Sequence, residues 1–142
     1  MATLTRQQAN ALLLDGVERD LEEAGAIHAL LERQFEAAVR HRSLELTELA
    51  EALAPRLEAM EGRRKQRLTL VRALLGPQGT MAAYGATLAP APRAAFDAAW
   101  RRLETLVRAC KEATTRNGTL LAEQYSVMQR VLHGEEQIYA PR

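Results

Sequence analysis

Apolar residues recur along most of the chain at alternating steps of three and four, the period of helices with one buried face. The first such series is Leu14, Val17, Leu21, Ala24, His28, Leu31, Phe35 and Ala38, widened by Leu13 and Ile27. It predicts a first helix over about 5–40, roughly 50 Å long. Thr5-Arg6-Gln7-Gln8 has the spacing of a capping box, in which the threonine oxygen and the glutamine amide exchange bonds with the free backbone groups of the first turn. A second series, Leu46, Leu49, Leu53, Leu57, Met60, Leu68, Val71 and Leu75, predicts a helix over 43–75 that stops at Gly76-Pro77. His41-Arg42-Ser43 is the turn candidate between the two, with Ser43 placed to cap the second helix and Glu45 to face its dipole. Pro55 removes an amide from the middle of this segment, so the helix either begins there or kinks there; we expect the kink.

Gly76, Pro77, Gly79, Gly85, Pro90 and Pro92 crowd into one stretch and predict a linker over 76–91. A third helix over 92–133 follows, with Pro92 in its first turn, and then a tail over 134–142. This helix carries the most regular seam in the chain: Phe96, Trp100, Leu103, Val107, Cys110, Thr114, Asn117, Leu121, Gln124, Met128 and Val131. Up to Cys110 the seam is apolar. Beyond it Thr114, Asn117 and Gln124 interrupt Leu121, Met128 and Val131, while Leu106, Ala113, Leu120 and Val127 form a parallel apolar stripe. Either the polar members bond within the bundle and set its register, or this half leaves the bundle to meet another chain. Gly118 in mid-helix costs about 1 kcal/mol relative to alanine and lets another backbone come close, or marks a local kink. The expected fold is all-α: one domain forming an elongated antiparallel three-helix bundle of long amphipathic helices.

Composition adds exclusions. The 142 residues are 47% hydrophobic and 26% charged, an ordinary globular mix with a net charge of +1. No run approaches the ~18 apolar residues of a membrane span, and the first residues lack the apolar core of a signal peptide, so a cytoplasmic protein is expected. The single Cys110 lies on the apolar seam, where a thiol behaves as a small hydrophobe. His28, His41 and His133 stand singly without metal-ligand spacing, so neither metal nor cofactor is expected. Glu22-Glu23 and Glu135-Glu136 read as solvated surface rather than an acid–base pair. Gly76-Pro77-Gln78-Gly79-Thr80 lacks the lysine of a phosphate loop. Arg63-Arg64-Lys65-Gln66-Arg67 wraps around a helix instead of lining one face, and we read it as a solvated face and not a nucleic-acid site. No enzymatic chemistry is expected.

The stretch Trp100-Arg101-Arg102-Leu103, Cys110, Asn117-Gly118-Thr119-Leu120-Leu121, Val131-Leu132-His133-Gly134 and Tyr139 resembles the signature helix and tail of the FlgN-type flagellar export chaperones. The chain also resembles that family in length and layout. What the resemblance implies is a cytoplasmic type III secretion chaperone that holds the C-terminal helical region of hook-filament junction proteins, prevents premature assembly and delivers them to the export gate. By the same resemblance Asn117, Gly118, Leu120, Leu121, Gln124, Val127, Met128, Val131 and Leu132 belong to the client-binding helix, and Tyr139 contacts the gate. Thr114 stands where the family usually has asparagine, and Ile138-Tyr139-Ala140-Pro141-Arg142 lacks the glycines common around the tail tyrosine. The competing reading from the residues is a self-associating bundle, a homodimer pairing through the second half of the third helix.

Overall fold

The computed structural model describes residues 5–139 and is all-helical: α1 (Arg6–Val39), α2 (Ser43–Leu75), α3 (Met81–Ala86) and α4 (Pro90–Tyr139). The three long helices alternate in direction, so α2 is antiparallel to both neighbours while α1 and α4 run parallel. Residues 140–142 of the expected tail, and the side chain of Tyr139, lie outside the described residues.

Local chemistry accounts for most boundaries. The capping box at the start of α1 is formed: the Thr5 amide donates to Gln8 Oε1 at 2.9 Å and the Gln8 amide to Thr5 Oγ1 at 3.1 Å. The α1–α2 turn is a Schellman motif. The amides of His41 and Arg42 donate to the carbonyls of Ala38 (3.2 Å) and Ala37 (2.9 Å), which puts His41 in the left-handed region at φ 55°. Ser43 is therefore the first helical residue rather than the cap. The N-cap is Arg42, which makes no side-chain capping bond, and Glu45 takes the dipole position in the first turn. Helix α2 is unbroken through Pro55, so the proline does not begin it.

Two boundaries differ from the sequence reading. The expected linker holds α3, whose start is capped by Thr80 Oγ1 accepting from the Ala83 amide at 3.0 Å. The surrounding glycines and prolines disguise it, but α3 has a tertiary role: Tyr84 is buried, donates to Asn10 Oδ1 at 2.8 Å and meets the Phe96 ring edge-on at 5.3 Å. Gly85 makes that approach possible, since a Cβ there would lie 2.8 Å from the Phe96 ring. Helix α4 starts at Pro90, two residues before Pro92, because both prolines fit a first turn whose amides have no helical acceptor. At its other end α4 continues through Gly134 to Tyr139 where a tail was expected; Glu135, Glu136 and Gln137 are good helix formers that offset one glycine.

Helix α1 packs against both α2 and α4, whereas among the described residues α2 and α4 do not approach each other closely along the backbone. One apolar cluster gathers Leu13, Val17, Ala24, Val71, Tyr84, Phe96 and Leu103; a second gathers Ile27, Leu31, Leu53 and Ala113. The buried seam of α1 is Leu13, Val17, Asp20, Ala24, Ile27 and Leu31, all but Asp20 members of the predicted stripe, while Leu14, Leu21 and His28 at its edge are only half-buried. It includes a carboxylate that is 0% exposed. Asp20 accepts from Arg63 Nε and, at 2.8 Å, from Arg67 Nη1. Arg67 also lies over the Trp100 ring, 5.6 Å from its centroid. The basic run is thus not a solvated face: two of its arginines turn inward to a buried partner on α1, and Arg64 pairs outward with Glu61.

Asp20→Ala should lower stability to urea by about 3 kcal/mol, because it leaves two half-buried guanidinium groups without their carboxylate. His41→Gly should raise it by about 1 kcal/mol, since glycine occupies the left-handed region without a Cβ clash. Urea unfolding followed by circular dichroism measures both.

Candidate functional site

Of the polar residues of the α4 seam, Asn117 and Gln124 bind α1, as does Cys110, whereas Thr114 is exposed and donates to the Cys110 carbonyl of α4 itself at 2.8 Å. Cys110 Sγ donates to the Ala24 carbonyl at 3.4 Å, Asn117 Nδ2 to the Leu31 carbonyl at 2.8 Å, and Gln124 Nε2 to the Ala38 carbonyl at 2.9 Å. Each pair is separated by 86 residues, so one α4 side chain reaches an α1 carbonyl every two turns. Asn117 is 1% exposed and fully partnered. It also donates to Gln34 Oε1 at 2.8 Å and accepts from Arg116 Nε and Nη2, both at 3.1 Å. Arg116 in turn pairs with Glu32 at 3.0 Å and covers the Phe35 ring at 4.1 Å. A buried asparagine at a heptad position admits one register, because any slip leaves its amide unpaired.

That register decides where the extra length of α4 goes. Pro90 is level with the start of α1, and Gln124 is level with Ala38, one residue before α1 ends. The residues from Tyr125 to Tyr139, roughly 22 Å of helix, therefore run past the α1–α2 turn. Their apolar pattern does not stop there. The face that α4 turns to α1 continues as Val127, Val131 and Ile138, and the neighbouring face continues from Leu121 as Tyr125, Met128 and Leu132. Tyr125, Val127, Met128, Val131, Leu132 and Ile138 are between 49% and 71% exposed. At its root the overhang forms an open groove of about 580 Å³ with the turn, lined by His41, Ser43 and Leu46 opposite Leu121, Tyr125 and Met128.

The residues marked out by sequence divide in two. Asn117 and Gln124 are occupied inside the bundle, and Leu120 and Leu121 are half-buried at the groove. Gly118, Val127, Met128, Val131 and Leu132 are exposed. The sequence reading missed Tyr125 and Ile138, although the four-three spacing from Leu121 reaches the first. It also missed His41, whose place at the groove depends on the turn.

Burial pushes the Cys110 thiol above its ordinary value, and its Sγ is engaged with Ala24. Among the described residues no group of three His, Cys, Asp or Glu is placed to hold a metal ion, and no helix is long and apolar enough to cross a membrane. What the overhang presents is a contiguous apolar strip on a helix whose base is fixed by hydrogen bonds, the surface a second amphipathic helix needs.

A family model described as FlgN protein matches residues 5–134, from the capping threonine to Gly134 in the overhang. No curated protein and no solved structure matches the chain.

Asn117→Ala should cost about 2 kcal/mol of stability in urea, because the Leu31 carbonyl, Gln34 and Arg116 all lose a partner at a site closed to water. Gln124→Ala, at the less buried end of the ladder, should cost about 1 kcal/mol.

Proposed function

The chain belongs to the FlgN family, the non-enzymatic, cytoplasmic flagellar export chaperones of the hook-associated proteins FlgK and FlgL, and we propose that the overhanging end of α4 is where it holds them. The observation that carries this reading is the exposed apolar strip from Tyr125 to Leu132, which runs past the end of α1 because Gln124 is level with Ala38. A C-terminal helix of a client, unpaired before assembly, exposes an apolar stripe that drives self-association. Laying that stripe against Leu121, Val127, Met128 and Val131 removes it from water at about 25 cal/mol per Å² of apolar surface. Ordering the client helix subtracts about 2–5 kcal/mol from the gross gain, which keeps the complex weak enough to be handed on.

Within the same proposal, Gly118 exposes backbone on the helix that meets the client, while Asn117 and Gln124 act by holding that helix in register. The family resemblance gives Tyr139 a different role, contact with the export gate. Its position at the last residue of α4 supports this, because it stands at the far end of the overhang from the groove and leaves the apolar strip free for the client.

Val131→Asp should leave the helical content unchanged and weaken binding to FlgK at least about tenfold, since a client helix would bury an unpaired carboxylate. Isothermal titration with purified FlgK reads this, and unaltered affinity would sink the assignment. If light scattering instead finds a homodimer that Val131→Asp breaks, with no FlgK complex, the strip is a self-association surface. Tyr139→Ala should keep FlgK affinity and lower FlgK export into the medium; loss of affinity in that variant would overturn the division of roles.

A further inference from the structure

Helix α1 packs on both α2 and α4, while the backbones of α2 and α4 stand apart and their side chains meet in a shared cluster, Leu53 and Met60 with Ala113 and Cys110. The wedge-shaped cleft between them carries apolar side chains among polar ones, Arg64, Arg67 and Thr80 at the α3 end and Ser43 and Gln124 at the other. On α2 the stripe is Leu46, Leu57 and Leu68, spaced three turns apart. On α4 it is Trp100, Val107, Leu121 and Met128 at heptad positions, interrupted by the exposed Thr114. The two stripes face each other at both ends of the bundle: Leu68 shares a groove with Trp100 beside α3, and Leu46 shares one with Leu121 and Met128 at the overhang. Between those ends Leu57 is 51% and Val107 42% exposed. The sequence series that contained Leu57 placed it in the core; the separation of α2 from α4 leaves it outside.

The wedge has the properties of a fourth helix position. Along α4 the two end grooves, at Trp100 and at Met128, lie about 42 Å apart, the length of a helix of roughly 28 residues. Met81 of α3 and its capping residue Thr80 stand at one end, while the other opens onto the exposed strip of α4. Gly118 lies on the same face of α4 as Val107 and Leu121. It is exposed, and a Cβ there would meet nothing within 4 Å, so no packing inside this chain requires a glycine. A mid-helix glycine facing open space beside the cleft is what close approach of a second backbone requires.

We propose that the client helix does not stop at the overhang but continues along the α2–α4 wedge as a fourth helix of the bundle, crossing α4 at Gly118 and contacting Leu57 of α2. The occupant is a helix of FlgK or FlgL, because the family binds those proteins and the wedge is continuous with the strip assigned to them above; the proposal rests on that assignment. The wedge makes α2 part of the specificity surface, so the chaperone reads about eight turns of its client rather than the few that the overhang alone covers.

Two variants test this in the full-length chain with purified FlgK as the probe. Leu57→Asp places a charge on an exposed α2 position, and Gly118→Leu adds a side chain that meets open space in the free protein. Gly118→Leu should raise the melting temperature, because leucine is the better helix former, while it weakens FlgK binding at least about tenfold; opposite signs separate an occluded site from a damaged fold. Leu57→Asp should weaken binding similarly with an unchanged circular dichroism spectrum. Wild-type affinity in both variants, alongside loss of binding in Val131→Asp, would overturn the wedge and leave the overhang reading standing. Loss in Leu57→Asp and Gly118→Leu with wild-type affinity in Val131→Asp would support the wedge and remove the overhang. A homodimer of the chain alone that Leu57→Asp dissociates would give the wedge to a second copy and overturn the proposal.

Discussion

The heptad ladder of Cys110, Asn117 and Gln124 on the carbonyls of α1 is the constraint from which the rest of the molecule follows. Apolar seams between long helices are permissive: a shift of one heptad replaces leucine by another aliphatic group at modest cost. Buried amides are not permissive, since each must find an acceptor or lose more than a kilocalorie per mole. By fixing α4 against α1 at one offset, the ladder aligns the two helix starts. It sends most of the length difference, 34 residues against 50, out at the opposite end.

The aligned end is sealed by different chemistry. Short helix α3 folds back so that Tyr84 is buried beside Phe96, Trp100 stacks along the same aromatic row, and Arg67 joins Trp100 to the carboxylate of Asp20. These contacts tie α2 to α4 through side chains where their backbones are separate. At the other end Ala37, Ala38 and Leu49 are buried, Gln124 bonds the Ala38 carbonyl, and Arg33 and Arg42 pair with Glu45. Rigidity at one end and unpartnered apolar surface at the other are what a carrier needs. It must keep its own fold while a client helix comes and goes.

Family membership and geometry contribute different things. The match over residues 5–134 establishes a flagellar export chaperone of hook-associated proteins. The structure adds a physical reason for the division within α4. Of the polar interruptions after Cys110, Asn117 and Gln124 bond to α1 and set the register of the bundle, while Thr114 is exposed and bonds within α4, to the Cys110 carbonyl.

Much of this was legible along the chain. The all-α class, the three long helices, the capping box at Thr5, the turn near His41 and the change of character in the last helix all follow from period and from residues with one dominant local use. Local bonding and amphipathic spacing act within a few residues, so a linear reading can find them. The inward turn of Arg63 and Arg67 was not legible, because it depends on Asp20 lying opposite them on another helix, and a basic run looks solvated until its acid is in view. Nor was α3, whose stability comes from burying Tyr84 against Phe96 rather than from its own six residues. The sequence by itself determined which faces are apolar and that Asn117 and Gln124 interrupt one of them. Only the tertiary structure decided which apolar face is covered and which is left open, because that depends on the offset between α1 and α4, set by hydrogen bonds between residues 86 positions apart.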